Sequence, residues 1–127
     1  MDKQSFLERA RQAADIGTGK ESERQAVAVV VALSHLLTDS ARRRHFASQL
    51  PGFLKSPVLN EARPAPSEWT RDGFVQHVAA GLETHAARAE AVLRGVYSVL
   101  RDAMSPGQLA DFEAQIPDDI RALLRPR

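Results

Sequence analysis

Cysteine is absent from the 127 residues, which excludes disulfides and thiolate chemistry and leaves stability to packing alone. Long apolar runs are missing too. The longest, "AVAVVVAL" at residues 26–33, falls far short of the roughly 20 residues that cross a bilayer. The opening "MDKQSFLERA" mixes charges and has no apolar signal core, so no export signal is expected. These absences fit a cytoplasmic protein without a membrane partner. Charge of one sign is also lacking, with 17 Lys+Arg against 16 Asp+Glu. Basic residues are not interleaved with aromatics, so nucleic acid is not an expected partner.

The usual constellations of catalysis are absent as well. The histidines His35, His45, His77 and His85 form neither HxxxH nor HExxH, the spacings that put two ligands on one helical face. A metal site using His77 or His85 with Glu83 would have to be assembled by the fold. There is no G-x-S-x-G elbow. "GTGKES" lacks the spacing and the preceding strand of a phosphate loop. Asp118 and Asp119 sit at a helix start, where the dipole favours them without any catalytic role. The sequence therefore names no catalytic residue, metal or cofactor, and leans away from an enzyme.

What is present is a single domain's worth of hydrophobic residues, 43% against 26% charged, arranged as a sentence written twice. "FASQLPGFLK" at residues 46–55 is echoed by "FEAQIPDDIR" at residues 112–121. Phe46, Gln49 and Pro51 recur as Phe112, Gln115 and Pro117, and Leu50 as Ile116. The spacing predicts a helix over 3–14 capped by Asp2, then a buried helix from a Thr18–Glu21 capping box to about residue 37, then a third from Asp39 to "QLP". The second half repeats the plan. Thr70 caps a helix through about 82, Thr84 opens one to about 102, and Ser105-Pro106-Gly107-Gln108 starts the third. "DDIRALL" forms a short terminal helix. The halves align at an offset of 68 residues at Phe6/Phe74 and of 66 from the long helices to Pro51/Pro117, the difference falling in the loop "DIGTGKE".

Between them, "KSPVLNEARPAPSEW" carries Pro57, Pro64 and Pro66, which predicts a semi-extended joint anchored by Trp69. The expected architecture is an all-α bundle. Repeat one covers 1–55, the joint 56–69 and repeat two 70–127, with three helices per repeat plus the terminal one. Two repeats suit a pseudo-twofold domain in which each half covers the other's apolar face. Phe6, Val27, Val30, Leu33, Phe46, Leu50, Phe74, Val78, Leu93, Val96, Leu100, Phe112 and Ile116 should form the core. The repeated corners end helices, because each proline forces the residue before it out of helical geometry.

Two copies of F-x-x-x-V/A, a long apolar helix and F-x-x-Q-L-P, separated by a proline-rich joint with a tryptophan, resemble the bacterial domain-of-unknown-function family number 2267. The resemblance spans residues 6–124 and rests most on Gln49-Leu50-Pro51 and Gln115-Ile116-Pro117. It implies an all-helical fold and no activity. The sequence departs from its own repeat where Pro57 interrupts the segment after the first corner.

Three features invite a functional reading. Arg43 takes the place of Leu109 in the stripe Leu109, Phe112, Ile116; its stem should line the core edge with the guanidinium in water, or Arg42, Arg43 and Arg44 should form a basic knob for an acidic partner or a nucleic-acid phosphate. Gly95 interrupts a long helix, predicting close approach of another helix, from the same chain or a second subunit. The halves carry opposite charge, 10 Lys+Arg to 7 Asp+Glu over 1–66 and 7 to 9 over 67–127, which could favour association of copies. The leading expectation is a non-enzymatic protein-interaction module using Arg42, Arg43, Arg44 and Trp69. The alternative is a small-ligand-binding bundle or cryptic enzyme with a cleft between the repeats, lined by residues such as His77, Gln49 and Gln115.

Overall fold

The computed structural model describes residues 1–60 and 68–125. Among them the chain forms only helices: α1 (Lys3–Ala14), α2 (Gly19–Ser34), α3 (Ser40–Ser48), α4 (Gly52–Asn60), α5 (Arg71–Leu82), α6 (Ala86–Ala103), α7 (Pro106–Glu113) and α8 (Asp118–Leu124). The all-α expectation holds. No described helix is long and apolar enough to cross a membrane.

Local chemistry sets most helix starts. Asp2 accepts from the Ser5 N–H at 2.8 Å, and Thr70 from the Gly73 N–H at 3.0 Å. Ser105 and Gln108 satisfy each other's backbone amides in a full capping box. Ser105→Ala should cost about 1 kcal/mol, read as a lower urea midpoint; an unchanged midpoint would show that Pro106 alone starts α7. Two expected caps are corrected. Thr18 holds the N-cap position without a side-chain cap, and the Glu21 carboxylate, the other half of the expected box, is engaged by Arg24 and Gln25 at 2.7 and 2.8 Å. The cap of α6 is His85, whose Nδ1 accepts from the Arg88 N–H at 3.2 Å. Thr84 is occupied in closing α5: Glu83 turns left-handed, and the Thr84 N–H donates to the Ala79 carbonyl at 3.0 Å. The helix α2 stops at Ser34 rather than 37; the next three amides each bond a carbonyl three residues back, a tighter winding that buries Leu36 and Leu37.

The larger correction concerns Pro57. It interrupts nothing: α4 runs through it to Asn60. Proline forfeits the amide that would reach Phe53, but Leu54 and Val58, four apart on one face, are both buried. Their burial outweighs one missing bond in a nine-residue helix. The offset of 66 pairs Leu54 with Ile120 and Val58 with Leu124, all buried. Each half is therefore four helices, with α4 the counterpart of α8. The joint shrinks accordingly; Pro64 and Pro66 lie outside the described residues.

The halves interlock rather than sit side by side. The first helix of each packs on the long helix of the other, α1 on α6 and α5 on α2, while α2 and α6 cross centrally. Gly95 is explained by this exchange. A Cβ there would lie 2.3 Å from the Ala14 Cβ and 3.1 Å from the Ala14 Cα, so the close neighbour is α1 of the same chain. Tyr97 is buried and its hydroxyl donates to Glu113 at 2.7 Å; burial first, then the carboxylate, pushes its pKa far up. Of the residues expected in the core, Val27 alone stays partly exposed.

Candidate functional site

The repeated corners meet each other. Phe46 stacks on Phe112 with ring centres 4.8 Å apart and planes 20° from parallel. Gln49 accepts from Gln108, and Gln115 accepts from Arg42 at 3.3 Å. The offset of 66 maps Gln49 onto Gln115 and Arg42 onto Gln108, so these two contacts are the same contact made twice around a pseudo-twofold axis through the aromatic pair. The seam here is closed: only about 20 Å³ remains beside Phe46 and Phe112. Gln49 therefore lines no substantial cleft, while Gln115 also borders an open surface groove of about 570 Å³ with Ala41, Arg42, His45, Asp111 and Ala114.

The expected partner residues are divided between two places. Arg42 is taken up by Gln115. Arg43 does not hold its guanidinium in water; its Nε and Nη1 are shielded from solvent, as its alignment with partly buried Leu109 suggests. Arg44 is exposed on α3. Trp69 stands elsewhere, before α5. Its Nε1 donates to the His35 carbonyl at 3.2 Å, and its ring packs on Phe74 and His77, with centres 5.8 and 5.0 Å apart. The role of Trp69 as anchor is visible, but the anchor joins α5 to the end of α2.

That junction opens onto a groove. Val27, Ala28, Val31 and Ala32 of α2 form one wall, His77, Ala80 and Gly81 of α5 the other, with His35 and Arg24 also lining a solvent-open volume of about 520 Å³. Its pseudo-symmetric counterpart is the α1–α6 crossing, closed tightly over Gly95. Val29 stands where Gly95 does, offset by 66, and a branched side chain cannot be approached as closely as a glycine. The part-exposure of Val27 follows: it is a wall residue, not a core residue.

Beside the groove, His35 Nδ1 and His77 Nε2 face each other at 2.8 Å, with ring centres 5.1 Å apart. One ring donates its N–H and the other accepts. Burial holds His77 below the ordinary histidine pKa. The unfolded chain then binds a proton more readily than the folded one, so stability falls as pH drops through the ordinary histidine range near 6.5. A flat urea midpoint between pH 8 and pH 5 would contradict that. Arg24 is held by Glu21; the guanidinium, then Gln25, keeps the Glu21 carboxyl down at about 2. His85 caps α6 and does not join His77, and no group of three metal-ligating side chains occurs among the described residues.

The pairing of His35 with His77 was hidden by 42 intervening residues. The repeat itself held a signal. At the offset of 68, His77 corresponds to Arg9, which pairs with Asp102 across the equivalent α1–α6 crossing. One crossing is fastened by an ion pair and the other by two imidazoles, a departure from symmetry readable only once the partners are known. No curated protein matches this chain. The tandem four-helix repeat with matched corners does match one family description over residues 3–123, and the chain belongs to that family, the uncharacterised conserved protein DUF2267.

Proposed function

We propose that the chain is a non-enzymatic binding module whose ligand surface is the groove between α2 and α5. The observation that carries this reading is the asymmetry of two equivalent crossings. One is sealed by Gly95 against Ala14; the other leaves about 520 Å³ walled mainly by Val27, Ala28, Val31, Ala32, Ala80 and Gly81. A volume of several hundred Å³ with apolar walls and a few polar groups suits a small apolar molecule. A protein partner at the arginine knob is supported less, since Arg42 is spent on the seam and Trp69 on His35 and His77.

Gly81 supplies the test. A Cβ there meets nothing within 4 Å, so Gly81→Leu fills the groove without displacing its neighbours. The neutral apolar dye Nile red should bind the wild-type chain with enhanced fluorescence and bind the folded variant at least about tenfold more weakly, a loss of about 1.4 kcal/mol. Equal binding by both would refute the groove as the site.

A further inference from the structure

Resting on the groove reading, we infer that the His35–His77 pair is its acid-reading element, and that the ligand is a small carboxylic acid with an apolar chain or ring, bound together with one proton. The walls offer an apolar body its environment, but among the described residues no carboxylate lines the groove, and the titratable side chains lining it are Arg24, His35 and His77. On α2, Arg24 has Glu21 as its partner and also feels Glu83 at the end of α5. On α5, the titratable residue lining the groove is His77, and the segment before it contributes the neutral Trp69. Once the histidine pair takes up a proton, the charge complement of this wall is an anion.

The pair is built to accept one proton rather than two. Neutral, it holds two N–H protons over four ring nitrogens, with one N–H lying between His35 Nδ1 and His77 Nε2. His35 Nε2 is shielded from solvent, so the third proton goes to the outward Nδ1 of His77 as the donating ring, giving an imidazolium hydrogen-bonded to an imidazole, a charge-assisted bond. A fourth would require two cations at 2.8 Å. The pair is half-buried, so the singly charged form is disfavoured while the groove is empty, and a bound carboxylate compensates it. No covalent bond forms or breaks. The ligand anion accepts a hydrogen bond from the newly protonated ring, and the proton comes from solvent.

Linkage then fixes the readout. Where the free pair is neutral, affinity for the acid rises as pH falls, by up to about tenfold per pH unit, and binding takes up protons from buffer. Decanoate and 1-decanol, which share a chain length and differ in charge, are the probes, followed by isothermal titration in buffers of different ionisation enthalpy. Decanoate binding more tightly than decanol at pH 6, with uptake of up to one proton, is the expected result, and His77→Gln should remove the pH slope. Proton uptake is read on the wild-type chain, so the test does not depend on the variant folding. Decanol binding as tightly as decanoate, with no proton uptake, overturns the acid-reading role and leaves the groove standing. Binding of neither probe overturns both.

Discussion

Replacing Gly95 by alanine will lower the stability of this protein, even though alanine is the better helix former. Helix propensity favours the substitution by up to about 1 kcal/mol. Against it stands the added methyl, 2.3 Å from the Ala14 Cβ and 3.1 Å from backbone atoms of Ala13 and Ala14. Those neighbours are helix backbone and a Cβ, not the far end of a flexible side chain. The whole of α1 must move, and moving it disturbs Phe6 and Ala10, which are fully buried on the same helix. Overpacking of this kind costs about 1–3 kcal/mol. The net loss should appear as a lower urea midpoint with an unchanged slope. Gly81→Ala is the matched control: nothing lies within 4 Å of the added Cβ, so the midpoint should rise by the equivalent of roughly 0.5–1 kcal/mol. A Gly95→Ala chain at least as stable as wild type would show that α1 rides loosely on α6, and the contrast between the two crossings would lose its basis.

The second large effect belongs to the corners. Phe46→Ala and Phe112→Ala should each cost about 3–5 kcal/mol, a sizeable part of the 5–15 kcal/mol typical of a whole domain. Both rings are buried, and they stack on each other across the pseudo-twofold axis. The two losses should therefore not add. A double-mutant cycle should show a coupling of about 0.5–1.5 kcal/mol, with leucine variants used if the alanine pair fails to fold. Strict additivity would mean that the rings stabilise their own halves independently, and the corners would then be helix stops and nothing more.

Much of the fold was legible because it is written in local patterns. Asp2, Thr70 and Ser105 announce helix starts through side chains that reach amides three residues away. Leu50 and Ile116 announce helix ends through the prolines that follow them. The expectations fail where a local rule meets a competing interaction. Pro57 reads as a helix breaker, yet the burial of Leu54 and Val58 overrides it. Thr18 and Glu21 read as a capping box, yet Glu21 had a stronger partner in Arg24. Thr84 reads as a cap, yet its amide was committed to closing α5.

The candidate site was much less legible, and the reason is geometric. In the sequence His77 and Trp69 belong to separate features, and His35 has no histidine one helical turn away. Its partner lies on another helix, in the other half of the repeat, and only the crossing of α2 with α5 brings the two rings within 2.8 Å. The amino-acid order by itself determined the helical class, the twofold plan, the caps at Asp2, Thr70 and Ser105 and the centre of the core, since each follows from periodicity and short-range hydrogen bonding. The tertiary structure decided which of two equivalent crossings would close. A glycine at position 95 and a valine at position 29 each suit a long buried helix; the difference acquires meaning only when a neighbouring helix packs directly on the glycine at one crossing while a groove stays open alongside the other.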